Sequence, residues 1–133
     1  MSSHPQPPKR KAIPERPLTP RERRLVAEIL QANPAWADVD LSGTRVIAQC
    51  DCGECKSVYL HSDAPQNPSA RGKHGYIGRT EIRTTDDFGI TVTLDQRDGR
   101  LDELYVNYVD LSTAGNRKLP EQWSEVARTT QRM

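Results

Sequence analysis

R-V-I-A-Q-C-D-C-G-E-C-K-S-V-Y-L-H, Arg45 to His61, holds all three cysteines of the chain, Cys50, Cys52 and Cys55. Val46, Ala48, Cys50 and Cys52 alternate at the strand period, and Val58 and Leu60 resume it after Gly53. The pattern predicts two antiparallel strands joined by a tight, thiol-bearing turn, with Cys50 on the inner face beside Val46 and Ala48.

Working outward, Thr19-Pro20-Arg21-Glu22 places Thr at an N-cap, Pro at the first helical position and Glu at the third, a capping box. Leu25, Val26, Ile29 and Leu30 follow at helical spacing, and Asn33-Pro34 ends the helix because the residue before proline disfavours the α region. Trp36 is expected to fold back onto the core. From Ser62 to Gly75 nearly every residue is a turn former, which predicts a long surface loop. Tyr76, Gly78, Thr80, Ile82 and Thr84 then share one strand face. Phe88, Ile90, Val92 and Leu94 alternate with polar partners in a half-buried strand, and Asp98-Gly99 suits a type I′ hairpin turn into Leu104, Val106 and Tyr108. Leu119-Pro120-Glu121-Gln122-Trp123 reads as the opening of a short C-terminal helix anchored by Trp123.

The expected class is α+β: an N-terminal helix, a β-hairpin, a three-strand meander (about five strands in all) and a short C-terminal helix, with the helices on one face of an antiparallel sheet. Residues 19–128 form a single domain in this reading. Residues 1–18, basic and proline-rich, lack the apolar content to offset ordering entropy and are expected to be a disordered tail. Residues 129–133 are expected to fray.

The formal net charge of the 133 residues is +1, so total charge points to neither nucleic acid nor membrane. Its distribution is uneven: residues 1–24 carry seven Lys/Arg against two Glu, a net of +5, leaving −4 for the rest. No apolar run approaches the roughly 18–20 residues that span a bilayer, and no apolar leader is present. A cytoplasmic protein without membrane attachment is the expectation. In that compartment three close cysteines are expected to be thiols or metal ligands instead of a disulfide framework.

Three readings of the thiols stay open. Cysteine is commonly buried as a small hydrophobe, and packing with turn roles is the leading one. Alternatively, Cys50, Cys52 and Cys55 hold one structural zinc, with His61, or His74 in the loop, as fourth ligand. A redox dithiol is the third, but Lys56 to Leu60 reads as strand, whereas such motifs use a helix N-terminus to depress the thiol pKa. Arg71-Gly72-Lys73-His74-Gly75 lacks P-loop spacing, and Asp95, Asp98, Asp102 and Glu103 miss the calcium-loop pattern. No G-x-S-x-G or H-E-x-x-H occurs.

Leu18-Thr19-Pro20-Arg21-Glu22, the run from Cys50 to Val58 and Asp98-Gly99-Arg100-Leu101-Asp102-Glu103-Leu104 together carry a resemblance. The chain resembles a group of small uncharacterised proteins of actinobacteria and their phages, which share a C-x-C-G-C-x-S hairpin and a closing D-G-x-L-x-x-L-E strand. It departs from them at Glu54, which separates Gly53 from Cys55, and at Tyr105, where an acidic residue is usual. The resemblance implies no activity.

Without an assembled catalytic set, the function expected is that of a non-enzymatic accessory protein acting by protein–protein binding, a regulator or immunity-like inhibitor. The alternative is a small zinc-binding nucleic-acid binder that uses the basic tail, whose phosphate contacts would make binding salt-dependent.

Overall fold

The computed structural model describes residues 10–52 and 56–133. Its elements are β1 (Arg10–Pro17), α1 (Pro20–Gln31), β2 (Arg45–Cys50), β3 (Val58–His61), a single 3-10 turn (Pro68–Ala70), β4 (His74–Thr84), β5 (Phe88–Arg97), β6 (Arg100–Asp110) and β7 (Glu125–Arg132). The strands form one antiparallel seven-stranded sheet in the order β1-β2-β3-β6-β5-β4-β7. This corrects the expected α+β class: the fold is mostly β, with α1 as the only α-helix among the described residues.

The helix forms as its sequence dictates. The Thr19 side chain accepts from the Glu22 N–H (3.1 Å) and the Glu22 carboxylate accepts from the Thr19 N–H (2.8 Å), so two otherwise orphaned donors are satisfied. Leu25, Val26, Ile29 and Leu30 are buried against β4, β5 and β7. Beneath them the inner sheet face supplies Val46, Val58, Leu60, Ile82, Phe88, Ile90, Val92, Leu94, Leu104 and Val106. Trp36 joins this core as expected. Asp98 and Gly99 take φ of 58° and 85°, the positive values a type I′ turn requires, and hand β5 to β6.

Three further expectations are overturned at the ends of the chain. Arg10–Pro17, read as part of a disordered tail, is an edge strand on β2, with Ile13 packed against the core. Pro14 and Pro17 are tolerated there because an edge strand has a side on which no N–H is needed. The segment opening at Leu119 is not a helix. Leu119 is buried, Trp123 is partly so, and the chain then extends as β7, pairing with β4 from Gly78↔Arg132 to Thr84↔Glu125. Val126, Thr129 and Thr130 are β-branched and favour that extension. The expected fraying of 129–133 likewise gives way to strand through Arg132.

No helix among the described residues is long and apolar enough to cross a membrane.

Candidate functional site: the open face of the sheet

The thiol hairpin is irregular. Val46 pairs with Leu60, but Ala48 pairs with Tyr59 and Gln49 with Val58, so a bulge lies between Val46 and Ala48. A bulge reverses which face the following residues occupy. Val46 remains in the core, whereas Ala48 and Cys50 turn to the face of Tyr59, correcting the expected inward Cys50. That thiol lies near enough to the Tyr59 hydroxyl to influence its proton. Cys52 is exposed and borders a shallow depression beside Asn107 and Arg117. Cys55 lies outside the described residues.

His61, the expected fourth ligand, pairs with Arg45 at the far end of the hairpin, whereas the Cys50 N–H bonds Ser57 at the thiol end. Four strand residues separate those positions, about 13 Å at ~3.3 Å per residue, so His61 cannot share an ion with Cys50. Its Nε2 sits 3.7 Å from the Asp63 carboxylate instead. His74 is also distant, on β4 with its Nε2 3.9 Å from Asp95. Among the described residues no three His, Cys, Asp or Glu side chains group as a metal site.

A groove of about 570 Å³ opens between the N-terminal half of α1 and the inner sheet face. Leu25, Val58, Leu104, Val106 and Trp123 supply its apolar surface; Arg16, Arg21, Glu22, Lys56 and Glu121 surround them. These charges are engaged with one another. Arg16 donates twice to Glu22 (2.8 and 3.0 Å) and Lys56 donates to Glu121 (2.6 Å). Arg21 donates to the Glu121 carbonyl (2.6 Å) and stacks over Trp123 at 3.9 Å. Burial pushes the Glu22 carboxyl up, but Arg16 and the Thr19 N–H outweigh it and hold it below its usual range. The groove is an ion-paired seam that fastens the chain before β7 to the helix.

Arg10 is similarly engaged: its guanidinium lies 4.6 Å over the Tyr59 ring. Two cations of the stretch read as a free basic arm, Arg10 and Arg16, are therefore tied to the domain.

The face of the sheet opposite α1 is different. Among the described residues no element covers it over β6, β5, β4 and β7. Register places its rows: Tyr59, Glu103, Asp95 and Tyr76 in one, Tyr105, Thr93, Arg79 and Gln131 in the next, then Asn107, Thr91, Glu81 and Thr129, then Val109, Gly89, Arg83 and Ala127. Alternation alone puts Tyr76 inward with Gly78 and Thr80. A bulge between Tyr76 and Gly78 buries Ile77 and leaves Tyr76 60% exposed on the open face. Val109 is 57% exposed, Tyr105 and Leu111 are also exposed, and Leu111 lies over Gly89. Of the six large hydrophobics exposed among the described residues, these four share this face.

Beside them sits a carboxylate pair. The Asp95 carboxylate accepts from the Glu103 N–H (2.7 Å), and Glu103 accepts from the Tyr59 hydroxyl. Burial pushes both carboxyls above their usual range; Asp102 adds to the shift at Asp95, and Asp95 adds to it at Glu103. The Tyr59 hydroxyl is pushed up to about 12 by burial and by the Glu103 charge, so it stays a proton donor at neutral pH. Raised carboxyls can serve acid–base chemistry; neither Asp95 nor Glu103 lines either depression described above.

No protein-family model, curated protein or solved structure matches the chain.

Proposed function

We propose that the chain is a non-enzymatic accessory protein that binds another protein on the open face of its sheet. The carrying observation is the gathering of Tyr76, Tyr105, Val109 and Leu111 on this face, while the opposite face is filled by α1. Single exposed hydrophobics need no explanation, but four of the six among the described residues share this one face amid polar side chains, as on an interaction surface. Tyrosine and arginine, here Tyr76, Tyr105, Arg79 and Arg83, are also the residue types that dominate interface energetics. Asp95 and Glu103 add chemistry to the surface. Each repels the other's charge, so a basic side chain brought by the partner would be favoured between them.

The test is the double substitution Tyr105→Glu with Val109→Glu, compared with wild type in affinity capture from the cells that express the protein. Both side chains are exposed on β6, so the cost should be confined to the lower β-propensity of glutamate, about 1–2 kcal/mol for the pair, and the fold should hold. A captured protein whose affinity falls at least about tenfold, roughly 1.4 kcal/mol, supports the reading. A partner retained at full affinity by the folded double variant overturns it.

A further inference from the structure

The two edges of the sheet are built differently. β1 carries Pro14 and Pro17, and its register with β2 breaks between Ala12 and Arg16, so it is a poor template for another strand. β7 contains no proline and pairs regularly with β4 from Ala127 to Arg132. We infer that β7 pairs antiparallel with β7 of a second copy of this chain, about a twofold axis through Thr129, joining two sheets into one.

The Met133 N–H donates to the Ile77 carbonyl, and the Gln131 carbonyl points at Gly78. Backbone groups alternate along a strand, so Thr129, Gln131 and Met133 face β4, and Arg128, Thr130 and Arg132 turn their N–H and C=O groups away from it. A twofold axis at Thr129 sets Arg128 opposite Thr130 of the second copy, each such pair exchanging both backbone hydrogen bonds.

Charge then selects the register. Side chains on one face must meet side chains on the same face, so only whole-residue centres along β7 qualify. A centre at Arg128 opposes that arginine to itself, and a centre at Thr130 opposes Arg128 to Arg132. Like charges directly opposed destabilise a ladder. The centre at Thr129 avoids both, pairing Arg128 with Thr130, Ala127 with Gln131 and Val126 with Arg132. Centres further out shorten the ladder, and one at Ala127 sets it on the register break between Ala127 and Glu125.

Nor does Arg128 act as a guard on this edge. Its guanidinium is held by Glu28 of α1 and by Glu125, and its side chain is only 16% exposed. In this register the exposed Val126 of one copy is covered by the aliphatic stem of Arg132 of the other. This assembly leaves the open face free in both copies and does not depend on what binds there.

The experiment is the mass in solution of the full chain and of two variants, by light scattering after size exclusion. The wild type should run at twice its 15.0 kDa. Ala127→Lys with Gln131→Lys opposes lysines at two symmetric places and should give the monomer. Ala127→Lys with Gln131→Glu opposes lysine to glutamate and should restore the dimer; because positions 127 and 131 also face Arg83 and Arg79 within the chain, an unchanged far-UV circular dichroism spectrum of the Lys/Lys variant separates a register effect from damage to the fold. A monomeric wild type, a dimeric Lys/Lys variant or failure of the Lys/Glu pair to restore the dimer would overturn the inference.

Discussion

Gly78→Val is expected to cost about 3 kcal/mol or more, at the upper end of overpacking penalties. A Cβ at this position would lie 2.7 Å from the Gln131 carbonyl oxygen and 3.0 Å from the Ile29 Cγ2. The first contact is with backbone that pairs β7 to β4, and the second is with the helix face that closes the core. Neither can withdraw without giving up pairing or packing, and valine adds two methyl groups to the conflict. Only glycine lets α1, β4 and β7 meet at this point. The urea midpoint should fall steeply; an unchanged midpoint would show that α1 does not cross β4 there.

Phe88→Ala should cost about 3–5 kcal/mol, as expected for a fully buried aromatic. Phe88 is among the largest fully buried side chains, and Tyr108 meets its ring edge-on at a centroid distance of 5.9 Å. Arg117 lies 4.6 Å over the same ring and donates to Asp110 (2.9 Å). The substitution therefore opens a cavity and removes the platform for the loop after β6. Against a typical stability of about 5–15 kcal/mol, that is a large fraction. Calorimetry should show a melting temperature lowered by many degrees; a change of only a degree or two would place Phe88 outside the core.

The parts of the fold legible in the sequence are those set by local chemistry. The capping box at Thr19 and Glu22, the positive-φ turn at Asp98-Gly99 and the alternation from Phe88 to Leu94 each depend on near neighbours, and each forms as read. β1 and β7 are hidden because their stability comes from partners far along the chain. Arg10 pairs with Cys50, and Arg132 with Gly78. Proline and charge give β1 the composition of a disordered segment, and Leu-Pro-Glu-Gln-Trp gives the approach to β7 the pattern of a helix start. In β7, the β-branched Val126, Thr129 and Thr130 are the available signal.

The candidate surface is obscured for a related reason. A β-bulge leaves no fixed signature in a single sequence, yet one bulge moves Cys50 to the face of Tyr59 and another moves Tyr76 into the open. Simple alternation assigns both residues to the core. The pairing of Asp95 with Glu103 likewise depends on the β5–β6 register, which the sequence suggests only through the hairpin turn.

The open face, not the groove or the thiol hairpin, is the surface proposed to bind the partner. The four tyrosines report on it directly: Tyr76 and Tyr105 are exposed there, Tyr59 is buried beside Glu103, and Tyr108, half-buried, packs on Phe88 on the other side of the sheet. Fluorine NMR of protein labelled with 3-fluorotyrosine, titrated with extract of the cells that express it, reads all four at once. The Tyr76 and Tyr105 resonances should shift or broaden well before that of Tyr108. Unchanged Tyr76 and Tyr105 lines, in an extract from which a partner is captured, would place the binding surface elsewhere on the protein.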